Sequence, residues 1–99
     1  MGHVKGGEKM KALKLEGRKH EVIDIENTLE ALQNAVGGYI ETVRLRVDDA
    51  VMIVNEEGLL LGLPYNAAAS GLAGQPIVGT ALVVGTDGEE FTDIPNVIA

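Results

Sequence analysis

Apolar and polar positions divide the chain into short alternating runs and one stripe at helical spacing. Lys11–Leu15 and Glu21–Ile25 are two short runs separated by Glu16-Gly17-Arg18-Lys19. In the second run, Ile23 and Ile25 oppose Val22, Asp24 and Glu26. Alternation of this kind beside a glycine free to take positive φ predicts a β-hairpin. From Asn27 to Val36 the period changes, and Leu29, Leu32, Ala35 and Val36 line one side of a helix. Asn27 is the expected N-cap, Glu30 completes a capping box, and Gly37-Gly38 supplies the left-handed stop.

Tyr39–Val47 alternates again, with Tyr39, Val43, Leu45 and Val47 on one face and Thr42, Arg44 and Arg46 on the other. This predicts a half-buried strand. Asp48-Asp49 turns the chain into Ala50–Val54, a fully apolar strand. Asn55-Glu56-Glu57-Gly58 reads as a type I turn closed by a left-handed glycine. Leu59–Leu63 then returns as a third strand, completing a meander. Leu63-Pro64-Tyr65 leaves the sheet, and Asn66 caps a short helical turn over Ala67–Ala69 that Ser70-Gly71 stops. Leu72–Pro76 is loop, Ile77–Gly85 is a strand, and Asp87-Gly88 is a hairpin signal leading to Glu89–Thr92.

This order predicts an α+β fold: a mostly antiparallel sheet of hairpins and a meander, with one main helix packed on one face. One helix covers one face. The other face then needs solvent, a second small sheet or a partner chain. Met1–Lys9 reads as a flexible leader, either native or a cloning remnant. Residues 10–92 read as a single domain and residues 93–99 as a C-terminal tail or edge segment.

Composition narrows the function classes. The 99 residues are enough for one core. The apolar set is aliphatic, with Phe91, Tyr39 and Tyr65 as the aromatics and no Trp, so base-stacking platforms are few. The absence of cysteine excludes disulfides, thiolate catalysis and Cys-based zinc sites. No apolar run reaches the ~18 residues of a membrane span, and residues 1–9 lack the apolar stretch of a secretory signal. A cytoplasmic protein is the expectation. The formal charge is −7, with 8 Lys and Arg against 15 Asp and Glu. Five of the eight cations (Lys5, Lys9, Lys11, Lys14 and Arg18) fall in the first 18 residues. Nucleic-acid binders need a basic surface, so direct binding to DNA or RNA is disfavoured.

Reactive constellations are scarce. Ser70, the chain's one serine, follows three alanines and reads as a cap or turn residue. His3 and His20 have no metal-ligand spacing. Asp48-Asp49 and Glu56-Glu57 sit in turns, where solvated acids belong. Gly37-Gly38 ends a helix, whereas phosphate-binding glycines open one. No cofactor is implied and no enzyme is expected; only a carboxylate-based mechanism would suit the residues present. A binding surface is the better use of the residue mix at Pro64, Tyr65 and Asn66, a strand exit with a rigid proline, an amphipathic tyrosine and an amide. Tyr39, Glu41, Arg44 and Asn55 are placed near sheet ends beside it.

Three phrases, IENTLEALQNAVGGYIE (Ile25–Glu41), NEEGLLLGLPYN (Asn55–Asn66) and IVGTALVVGTDGEEF (Ile77–Phe91), together with the opening MKALKLEG, resemble the DUF3846 family. The resemblance runs from Met10 to about Phe91. Such proteins are encoded by bacteria, often on mobile elements, and by phages. The resemblance implies no activity and carries over no catalytic residue; by analogy it suggests accessory or counter-defence roles. The resulting expectation is a small acidic non-catalytic interaction protein that binds a protein partner or itself through a sheet face or a strand edge. The alternatives are a protein that sequesters a small nucleotide-like ligand, and an acidic nucleic-acid mimic acting on host defence.

Overall fold

A computed structural model describes residues 8–96. Its centre is a six-stranded antiparallel sheet in the order β2 (Lys19–Glu26), β1 (Lys9–Glu16), β5 (Ala81–Asp87), β4 (Ala50–Asn55), β3 (Ile40–Arg44), with β6 (Glu90–Thr92) paired to β5 off that path. Strands β1 (Lys9–Glu16) and β2 (Lys19–Glu26) form the expected hairpin. Gly17, at φ 61°, is the first residue of its two-residue loop and supplies the positive φ such loops demand. Helix α1 (Leu29–Val36) follows, then β3 (Ile40–Arg44), β4 (Ala50–Asn55), α2 (Ala67–Ala73), β5 (Ala81–Asp87) and β6 (Glu90–Thr92). The α+β class expected from the sequence is the class observed.

Both faces of the sheet are covered. Alternate residues of β1, β4 and β5 point to opposite sides. On one side Met10, Ala12, Ile53, Leu82 and Val84 pack with Leu32 and Val36 of α1. On the other side Leu13, Leu15, Ala50, Met52, Val54, Ala81 and Val83 pack with Ala69 of α2, Ile77 and Ile94. The face that the sequence left in need of a cover is therefore closed by the chain's own second helix. Strand β5, buried on both sides, reads as a continuous apolar run for this reason.

Several expectations need correction. The N-cap of α1 is Thr28, whose Oγ1 accepts from Ala31 N at 3.1 Å. Asn27 is buried instead and its Nδ2 donates to the Phe91 carbonyl at 2.9 Å, tying the end of β2 to β6. Helix α2 runs past Ser70-Gly71 to Ala73 and ends at Gly74, because the left-handed residue that closes it is Gly74, at φ 69° with its N–H donating to the Ser70 carbonyl. Strand β5 starts at Ala81 rather than Ile77, since Gly79 takes φ 77° and breaks the extended run. The last hairpin turns on Gly88-Glu89, one residue later than expected, with Asp87 paired to Glu90. Two residues assigned to the leader belong to the fold, since Lys9 is paired with Glu26 in the sheet and the Glu8 carbonyl accepts from Asn27 N; residues 1–7 of that leader lie outside the described residues, as do residues 97–99. Within the expected tail, Ile94 is buried and its N–H donates to the Lys11 carbonyl at 2.9 Å.

The largest correction is at Leu59–Leu63, which is not a strand. The meander stops at the β3–β4 hairpin, and β4 pairs next with β5. Residues 57–63 form one helical turn. Leu61 N donates to the Glu57 carbonyl at 2.9 Å, Gly62 N to Leu59 at 3.2 Å and Leu63 N to Gly58 at 3.0 Å. The last two bonds, with Gly62 at φ 65°, make a Schellman closure. The left-handed glycine of this segment is therefore Gly62 and not Gly58.

Candidate functional site

The turn after β4 is seated on the segment that precedes β5. Gly58 lies so close to Val78 that an added Cβ would stand 2.9 Å from its Cγ2, and Leu63 packs over Gly79 in the same way. Between these two anchors Leu59, Leu60 and Leu61 face outward, at 83%, 86% and 57% exposure. Three consecutive leucines in solvent are unusual, and an exposed apolar cluster of this kind marks an interaction surface. Tyr39, also exposed, lines a shallow cleft with Leu61, Glu57, Gln33 and Asn34. The Tyr39 carbonyl accepts from Glu56 N at 2.8 Å, which pins the start of the turn to the link between α1 and β3. Glu56 and Glu57 supply negative charge at its base.

The residues singled out from the sequence divide into three groups. Tyr39, Glu41 and Asn55 lie at one end of the β3–β4 hairpin, where Ile40 is paired with Asn55 and Glu41 with Val54. Arg44 lies at the other end of β3, opposite Val51. Four residues of strand, about 13 Å, separate it from Ile40. Pro64 and Tyr65 are exposed on the exit from the leucine turn, and Tyr65 forms an isolated bridge with Val78.

The two asparagines of that set are buried and committed to backbone. Asn66 is the N-cap of α2: its Oδ1 accepts from Ala69 N at 3.0 Å. Its Nδ2 donates to the Leu15 carbonyl at 2.9 Å and to the Gly79 carbonyl at 2.7 Å. One amide thus joins α2, β1 and the segment before β5. Asn55 Nδ2 donates to the Val36 carbonyl at 3.1 Å, satisfying the last turn of α1, and its Oδ1 accepts from Glu57 N at 2.7 Å. Asn55 therefore holds the first residue of the leucine turn against the helix end. Ser70 is spent similarly: its Oγ accepts from Ile77 N at 2.8 Å and donates to the Ile77 carbonyl at 3.2 Å.

Sequence reasoning missed the leucines as surface because they resemble a buried strand. Gly58 and Gly62, spaced to start and close a single helical turn, were the available signal.

An ion pair crosses the β1–β2 hairpin. Lys11 and Asp24, on facing strands, are 2.7 Å apart and half exposed. Hydrogen bonding from the Lys11 ammonium holds the Asp24 carboxyl below the usual carboxylate range, and the same bond raises Lys11. Among the described residues no three His, Asp or Glu side chains gather in a way that would hold a metal ion. No helix among them is long and apolar enough to cross a membrane.

The family model described as a domain of unknown function, DUF3846, matches residues 10–99. The chain belongs to the DUF3846 family. No curated protein and no solved structure matches it. In this DUF3846 chain the matched region takes in the whole sheet from Met10 onward, both helices and the leucine turn, so the surface described above is part of the family domain.

Proposed function

We propose that this DUF3846 protein is a non-catalytic interaction protein that engages a protein partner through Leu59, Leu60 and Leu61. The observation that carries the reading is the outward presentation of three leucines on a turn closed by its own hydrogen bonds. A surface ordered before binding loses little entropy when it docks, so its apolar area goes into affinity. The partner that fits has an apolar groove with basic groups at its rim, to receive the leucines beside Glu56 and Glu57. The family's occurrence on phages and mobile elements makes a host protein the natural target of such a surface.

The test is capture with the wild-type protein and with a Leu59→Ser/Leu60→Ser variant, each checked by circular dichroism for an unchanged fold. A partner retained by the first and lost by the second supports the reading, and direct titration with the purified partner should then weaken at least tenfold in the variant. Equal retention by both proteins refutes it. A small ligand at the Tyr39–Leu61 cleft is the second reading, favoured by Gln33 and Asn34 on its wall. A nucleotide panel in a thermal-shift assay, with Tyr39→Ala as the control, checks it.

A further inference from the structure

Among the described residues the sheet ends on one side at β2, eight residues long and paired on its inner side with β1 along its whole length. Which of its backbone groups point outward follows from the hairpin. The pair that flanks a two-residue loop, Glu16 and Lys19, is a hydrogen-bonded pair, and bonded pairs then recur at every second residue. The ladder's continuation agrees, because Asn27 N donates to the Glu8 carbonyl. Odd-numbered residues of β2 therefore bond to β1. His20, Val22, Asp24 and Glu26 turn their N–H and C=O groups away from it, and all four side chains are exposed. The strand carries charged residues, but neither a proline nor a bulge, two devices that block pairing with another strand, interrupts this edge.

Along β2 the side chains of this face read His20, Val22, Asp24, Glu26, with Arg18 in the hairpin loop just before His20. That order runs from cationic or protonatable, through one apolar residue, to acidic. Read backwards on an antiparallel copy, it is its own complement. We infer that β2 pairs with β2 of a second copy of this chain, antiparallel about a two-fold axis at Val22.

In this register Val22 faces its symmetry mate, His20 faces Asp24 of the partner copy, and Arg18 faces Glu26 of the partner copy, each twice. Opposite charges across a strand pair stabilise it and like charges oppose it. Moving the axis to Ile23 keeps only the contact of His20 with Glu26. Moving it to Glu21 or Asp24 sets two identical acids face to face at the axis. The outward-pointing backbone groups of one copy also meet those of the other, as a ladder requires. Pairing joins the two sheet paths into one and leaves the leucine turns free.

Sedimentation velocity on the full chain over a concentration series should show a reversible dimer that weakens as salt rises. His20→Asp places like charges opposite each other twice and should abolish the dimer; adding Asp24→His restores the complement and should restore it. The register has its own test, because the chain has no cysteine. In a hydrogen-bonded pair the Val22 Cα atoms stand about 5.5 Å apart, within the roughly 4.4–6.8 Å that a disulfide spans. Val22→Cys should therefore oxidise to a covalent dimer. Asp24→Cys, whose mate lies about 13 Å away along the strand, should not. A strict monomer at all concentrations would overturn the inference. So would a dimer indifferent to His20→Asp, or cross-linking as ready at position 24 as at position 22.

Discussion

Leu60 and Asn66 lie six residues apart and exchange the environments their chemistry prefers. The leucine is 86% exposed and the amide 1% exposed. The difference separates two kinds of work. A buried amide is costly unless its donors and acceptor are satisfied, and Asn66 makes three bonds to three parts of the fold. Exposed leucines gain nothing for the monomer, and their apolar area stabilises only when a partner covers it. Asn66→Ala is accordingly the substitution with the largest expected effect. It removes a helix cap and the bonds to the Leu15 and Gly79 carbonyls, for a combined cost of about 3 kcal/mol. For a domain of this size that lowers the melting temperature by roughly 15 °C. Asn66→Asp sharpens the point. Asp is as good a cap as Asn on an exposed helix, but here it would set a buried carboxylate against two carbonyl oxygens. A melting temperature no higher than that of Asn66→Ala is expected, and a harmless Asp would show that the cap alone matters.

Asn55 stands between the two extremes, because it is buried yet holds the first residue of the leucine turn. Asn55→Ala removes two bonds and should cost about 2 kcal/mol, or roughly 10 °C in melting temperature. It also releases Glu57 N, so it should weaken partner binding through the leucine turn even at temperatures where the domain stays folded. Amide hydrogen exchange at Glu57 and Leu61 would report the loosening directly. Protection unchanged at both would mean that the Schellman closure holds the turn without Asn55.

What the sequence made legible was local. The Gly17 loop, the stripe of α1 and the cap at Asn66 each follow from residues within a few positions of one another. The remainder depended on contacts distant in sequence. Asn66 reaches Leu15 across 51 positions and Asn27 reaches Phe91 across 64, and neither partner carries a local sign of the bond. Asn27 was the better-looking cap of α1, but burial against β6 claimed its side chain and left the role to Thr28. The leucine run failed for a related reason. An unbroken apolar triplet has no period, so it fits a buried strand and a helical turn equally well. Only its seating, through Gly58 on Val78 and Leu63 on Gly79, decides which one forms.

The smallest expected effect completes the comparison. Leu60→Ser touches a side chain that is almost wholly solvated in the monomer. Exposed substitutions away from caps and cores stay within about 0.5 kcal/mol of wild type, so its melting temperature should match wild type to within roughly 3 °C. An invisible change in stability joined to a loss of partner binding is the signature of a contact residue. A fall in melting temperature close to that of Asn55→Ala would instead mean that Leu60 packs against the chain itself, and the leucines would then lose their claim to be a docking surface.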